Sequence, residues 1–200
     1  MGYFHTVDST QAIGARGFGY RRNSNGICEQ NFMIHETFME YALKEAQKAF
    51  QAGEFPVGCV IVSGDEVIAS GFRIHSFGEN VRETDHAEIL ALRQLEASET
   101  SVDRRTLRVY STLEPCLMCM GAILISGIRQ IVYAYEDMMG GATSCNLTLL
   151  PPLYSSEPVS IIPHVLRGKS LSLFHAFFSD PAHDYWKDSL LAGYTLSQVT

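Results

Sequence analysis

The apolar positions along the chain fall into two recurring patterns. From Phe38 to Phe50, the residues Phe38, Met39, Ala42, Leu43, Ala46, Ala49 and Phe50 recur three or four apart with Glu and Lys between them. That spacing predicts an amphipathic helix, with Gly53 as its stop. Val57 to Val62 is a short β-branched run, Val67 to Phe72 a second, and Ser63-Gly64-Asp65 between them predicts a hairpin turn. A polar loop, Ile74 to Arg82, follows. Helical spacing returns at about His86 and runs through Gln94 or beyond. Leu107 to Ser111 predicts a strand, Pro115 opens a helix reaching about Ser126, and Gln130 to Tyr135 predicts another strand. A Gly-rich loop covers Met138 to Ser144. Val159 to Val165 predicts a fifth strand, interrupted at Pro163, and Lys169 to Phe178 and Asp184 to Ala192 predict two further helices. Strands alternating with helices give an α/β sandwich around a mixed sheet.

The ends of the chain read differently. Residues 1–30 are rich in Gly, Ser, Asn and Arg without periodicity and are expected to form a flexible arm. Residues 31–180 form the expected domain, and 181–200 a C-terminal helical extension. At 200 residues, 46% hydrophobic and 18% charged, the chain has enough apolar side chains for one ordinary core. No apolar run reaches the ~18 residues of a membrane span. The first residues contain no apolar secretory region, so cytoplasmic residence is expected.

Charge narrows the choice of partner. The net charge of -7 lowers the expectation of avid polyanion binding, which draws on counterion release by basic surfaces. The five cysteines, an odd number, do not suit a disulfide framework. Cys59 reads as a small buried hydrophobe inside an apolar strand. Cys116 and Cys119 form a C-x-x-C pair, for which redox and metal readings compete.

His86 and Glu88 upstream favour the metal. A C-x-x-C at the start of a helix can aim two thiolates at one ion, with the helix N-terminus lowering their pKa. One imidazole, His86, completes three protein ligands and leaves the fourth tetrahedral position open, the arrangement of a catalytic zinc site. A structural site needs a fourth ligand, for which His75 and Cys145 are the alternatives. Glu88, two residues beyond His86, can move protons without ligating the metal.

H-x-E followed by P-C-x-x-C is the signature of zinc nucleobase deaminases. It stands here as HAE at 86–88 and PCLMC at 115–119. Together with GEFPVGCVIV at 53–62, HAEILALRQ at 86–94, STLEPCLMCMGAIL at 111–124 and the Gly-containing loop EDMMGGATS at 136–144, it makes residues 38–145 resemble the cytidine deaminase-like superfamily. Within that superfamily it is similar to TadA-like tRNA adenosine deaminases. The resemblance implies a three-layer α/β/α sandwich with a central five-stranded mixed sheet, bound Zn2+, hydrolytic conversion of adenosine to inosine, and a homodimer with residues near the metal helix in its interface. It also puts the turn at Pro56 and Val57, and Pro115, beside the substrate.

The sequence departs from that family in four places, one of them a longer loop at 75–85, HSFGENVRETD. Arg73 stands where the family has an Asn that contacts substrate, and either it or Asn80 is the replacement; a solvated loop arginine is the other reading of Arg73. Asp85 precedes His86 where a small residue is usual. The C-terminal part, which in the family helps hold RNA, matches weakly. Two rival functions therefore stand beside tRNA adenosine deamination: deamination of a free base or nucleoside of guanine or cytosine type, and a catalytically silent, zinc-stabilised binding subunit. Phe174, Phe177 and Phe178 read as core rather than base-stacking residues.

Overall fold

A computed structural model describes residues 27–98 and 101–199. The expected N-terminal arm lies outside the described residues as far as position 26. The first helix, α1 (Ile27–Gln51), begins upstream of the apolar stripe. From Phe38 onward the stripe is its buried face: Phe38, Met39, Ala42, Leu43, Ala46 and Ala49 all point into the core. Gly53 ends the helix in the left-handed region at φ 77°.

The hairpin forms as expected, β1 (Gly58–Ser63) against β2 (Glu66–Phe72). It is followed by α2 (Ala87–Ala97), β3 (Arg108–Leu113), α3 (Leu117–Ile125), β4 (Gln130–Tyr135), a short α4 (Pro152–Ser155) and β5 (Ser160–Ile162). The five strands form one sheet in the order β2-β1-β3-β4-β5. β1 pairs antiparallel with both β2 and β3, while β3–β4 and β4–β5 are parallel, which makes the sheet mixed.

The continuous apolar run in β1 is explained by burial on both sides. Val60 and Val62 face α1 together with Tyr110 and Val132. Cys59 and Ile61 face the opposite way, into a core with Ala91, Leu92 and Leu95 of α2 and Met120, Ile123 and Leu124 of α3. Two glycines let helices seat directly on the hairpin. A Cβ on Gly58 would lie 2.2 Å from the Ala42 carbonyl oxygen, and one on Gly71 would lie 2.4 Å from that of Ala87.

The C-terminal region differs from its pattern. The helix α5 (Arg167–Ser179) is present, with Phe174, Phe177 and Phe178 buried around Phe55 as core residues. The helix expected over 184–192 is displaced: α6 is Leu190–Ser197, capped by the Ser189 side chain accepting from the Ala192 amide. Residues 180–189 are turns, and Trp186 sits in the left-handed region at φ 55°. No described helix is long and apolar enough to cross a membrane.

Candidate functional site

The site lies where the two parallel central strands end. β3 runs into Glu114-Pro115-Cys116, and β4 runs into the 136–144 loop. The two segments stay tied beyond the sheet: the Glu114 amide donates to the Tyr135 carbonyl at 2.7 Å and the Ala142 amide to that of Pro115 at 3.0 Å. Glu114 is the staple. Its Oε1 accepts from the Thr143 amide at 3.0 Å and its Oε2 from the Asp137 amide at 3.2 Å.

His86 and Cys116 are both helix N-caps, of α2 and α3, with extended backbone and no side-chain capping bond. Where Ser or Asp would ordinarily satisfy the first amides, each helix presents a potential metal ligand instead. Two helix N-termini thus converge, and their partial positive charge favours thiolates and carboxylates there. His86 Nδ1 lies 3.6 Å from Cys116 Sγ and 3.4 Å from Cys119 Sγ. The donor atoms of His86, Cys116 and Cys119 all lie within 4.8 Å of one another.

This spacing passes a test of fit. A tetrahedral ion with Zn–S near 2.3 Å and Zn–N near 2.1 Å holds N and S about 3.6 Å apart. The thiols are already unequal: the hydrogen bond from Cys119 holds the Cys116 thiol down to about 4, with His86 adding to the effect against burial. The same pairing, with burial, pushes Cys119 up. The alternative fourth ligands are elsewhere: His75 Nδ1 pairs with Asp85 at 3.0 Å, and Cys145 is exposed. Among the described residues neither joins the donor cluster.

Glu88 is 3% exposed. Its Oε1 accepts from the buried Ser111 hydroxyl at 3.0 Å, and its Oε2 lies 3.5 Å from Cys119 Sγ. Burial raises its pKa, against the opposing pull of His86. A carboxyl kept dry, aimed by one hydrogen bond and set beside the donor cluster is placed to accept and return a proton.

His86, Glu88 and Cys116 line the floor of a cleft, with Cys119 fully buried against His86. Val57 and Arg73 line it, whereas Pro56 and Pro115 are buried behind the lining. Arg73 is no solvated loop residue. It is 2% exposed and donates from Nη1 to the Arg82 carbonyl at 2.7 Å and from Nη2 to the Tyr185 hydroxyl at 3.4 Å. Asn80 is exposed on the loop and does not line the cleft. Asp85 is buried and accepts from His75 and Arg93, bracing the chain just before His86.

Sequence reasoning missed Ser111, Glu114, Asp137, Tyr185 and Trp186. Asp137 lines the cleft and is buried, accepting from the Met139 and Gly140 amides at 2.9 and 3.0 Å, and burial raises its pKa. Its neighbours Met138 and Met139 are exposed. The E-P-C run could have flagged Glu114; nothing local marks the others.

The comparisons with known proteins agree with this geometry. Residues 33–135 match the family described as the cytidine and deoxycytidylate deaminase zinc-binding region. The tRNA-specific adenosine deaminase of Bacillus subtilis (strain 168) is 33% identical over 150 residues, 72% of this chain and 89% of that protein. The protein of that name from Streptococcus pyogenes serotype M18 is 39% identical over 141 residues, 70% of this chain and 87% of its own. A solved structure from a study of A-to-I editing by tRNA:A34 deaminases at the wobble position of transfer RNA superposes with a TM-score of 0.52 at 30% identity. It covers 68% of this chain and 98% of that one. The chain belongs to the zinc-binding cytidine and deoxycytidylate deaminase family, on its tRNA adenosine deaminase-like side.

Proposed function

We propose that this protein is a zinc-dependent hydrolytic deaminase that converts adenosine to inosine in tRNA. The observation that carries the reading is the dry, Ser111-aimed Glu88 carboxylate beside the His86–Cys116–Cys119 donor cluster, in the lining of a cleft. The names of its relatives support tRNA as the carrier. His86, Cys116 and Cys119 would hold a zinc ion, which when bound would acidify water and so supply a nucleophile at neutral pH. Glu88 takes the proton that the water gives up and passes it to the ring nitrogen. It then carries a second proton to the amine, which leaves as ammonia while the ring carbon gains an oxygen. Val57 and Arg73 orient the base, with Pro56 and Pro115 shaping the backbone behind them.

Residues 31–180 form the catalytic domain in this reading, and residues 181–200 are an extension of it. A tRNA substrate is consistent with work in the cytoplasm. The protein acts as a homodimer. Leu117 and Ile125 on α3, eight residues apart and therefore on one helix face, are 67% and 60% exposed, with Gly121 between them. An apolar stripe of this kind suits a second copy of the chain. Light scattering should give twice the chain mass, and Ile125→Asp should halve it.

The second reading, a free base or nucleoside of guanine or cytosine type, is favoured by the net charge of -7 and by Arg73, which lines the cleft where the family has Asn. Ammonia release from an anticodon stem-loop, free nucleosides and free bases separates the readings. The stem-loop should react fastest; turnover of small molecules alone would overturn the tRNA reading. A silent binding subunit has no use for Glu88, and release of ammonia from any of these substrates removes that alternative.

A further inference from the structure

The segment between α5 and α6 has no regular structure, yet it is tied down at both ends and in the middle. His183 stacks on Phe177 with centroids 4.3 Å apart. The Tyr185 hydroxyl donates to Glu83 at 2.8 Å and accepts from Arg73, whose guanidinium also lies 5.8 Å from the Tyr185 ring centre. Beyond Ser189, the α6 residue Thr195 pairs with the Tyr135 hydroxyl at 3.0 Å. Residues 73, 83 and 185 thus form a clasp between the end of β2, the loop before α2 and the C-terminal segment.

The clasp holds an unusual pair. Adjacent side chains in a helix or strand point ~100° or ~180° apart. Tyr185 and Trp186 instead lie parallel, at 10° with centroids 5.2 Å apart, and the left-handed backbone at Trp186 allows it. A bulky residue rarely adopts that conformation, and such strain concentrates at functional positions. Both rings line the cleft above His86 and Glu88, next to Phe55. Trp186 remains 37% exposed, and its indole makes no hydrogen bond among the described residues, so the stack leaves part of the indole uncovered.

We infer that Trp186, backed by Tyr185 and positioned by the Arg73–Glu83 clasp, is the stacking wall for the substrate's base and a determinant of substrate affinity. The inference rests on the nucleobase-deaminase reading for its ligand class. It adds that the wall comes from residues 180–189, outside the 33–135 region shared with the family. An aromatic wall of this kind accepts any flat base, because each has a π face. Choice among bases falls to the polar groups beneath it.

Trp186 is the only tryptophan in the chain, so its emission reports the wall directly. In a Glu88→Gln protein, which holds substrate while turning it over about 10³-fold more slowly, adenosine, guanosine, cytidine and an anticodon stem-loop would each be titrated against emission excited at 295 nm. Saturable quenching by a base is expected. In the otherwise unsubstituted protein, Trp186→Ala should raise KM about tenfold, the worth of one base–aromatic stack, with kcat, zinc content and melting temperature little changed. Trp186→Phe should recover most of the loss. Unquenched emission in a preparation whose parent deaminates the same substrate overturns the inference, as does an active Trp186→Ala protein with unchanged KM. Quenching by bases without ammonia release from the parent supports the wall while overturning the deaminase reading.

Discussion

The floor and the outer wall of the cleft are built in different ways. His86, Glu88, Cys116 and Cys119 come from the first turns of α2 and α3; α2 is seated on β2 and β1, and α3 packs against α2. Tyr185 and Trp186 come from turns held by a handful of side-chain contacts, several to partners about a hundred positions away. Chemistry that tolerates little displacement stands on helix ends, whereas recognition stands on an irregular segment that packs on the core at Phe55. The floor should therefore govern kcat and the wall KM.

The strongest test of this division is removal of the proposed metal ligands. Cys116→Ala, or exhaustive chelation of the native protein, should abolish turnover and lower zinc well below one ion per chain, as read by elemental analysis. Full activity after such depletion would break the account of the floor. Glu88→Gln should lower kcat by about 10³-fold, within the range for a lost proton carrier, while zinc content stays intact. Ser111→Ala comes next. Losing one hydrogen bond to a buried carboxylate should lower kcat about tenfold with KM unchanged, and Ser111→Thr should restore part of it. A rise in KM alone would move Ser111 from the floor to the wall.

The smallest expected effect concerns the support behind the wall. Glu136, at the end of β4, accepts from Arg167 Nε at 2.8 Å and from the Tyr194 hydroxyl at 2.7 Å, joining α5 and α6 to the sheet. Burial alone would raise its pKa, but Arg167 and Tyr194 outweigh that and bring it down to about 2. A carboxyl whose pKa is lower folded than unfolded stabilises the fold above the unfolded value. That contribution fades as pH falls through the folded one. Glu136→Gln should thus cost about 2 kcal/mol near neutrality, allowing for partial solvent screening. The gap from the unsubstituted protein should close between the ordinary value of 4.5 and about 2. Denaturant melts at several pH values would show it, and a gap independent of pH would contradict the assignment.

Local spacing carried the inner part of the molecule. The stripe from Phe38 to Ala49, the hairpin and the paired motifs at 86–88 and 115–119 could be read because each element signals itself within a dozen residues. The outer part depends on distant partners. An arginine after a strand reads as a solvated loop residue; its burial depends on Arg82 and on Tyr185, 112 positions along the chain. The helix expected over 184–192 failed for a local reason: Ser189 caps a later start, and the left-handed Trp186 breaks any turn begun before it. Ser111 gave no sign in a strand of mostly apolar residues, since its value lies in what faces it across the core.

Gly71 shows how remote control of the reaction can be. It touches no ligand, yet its missing methyl group is the gauge that sets how deeply α2 sits, because a Cβ there would meet the backbone of Ala87 at 2.4 Å and of Ala91 at 2.7 Å. Those atoms belong to the turn that carries His86 and Glu88. Adding one carbon to β2 would lift that turn by more than the ~0.5 Å a working constellation tolerates. In a mutational scan, a residue that no substrate ever meets would then score beside the proton carrier itself.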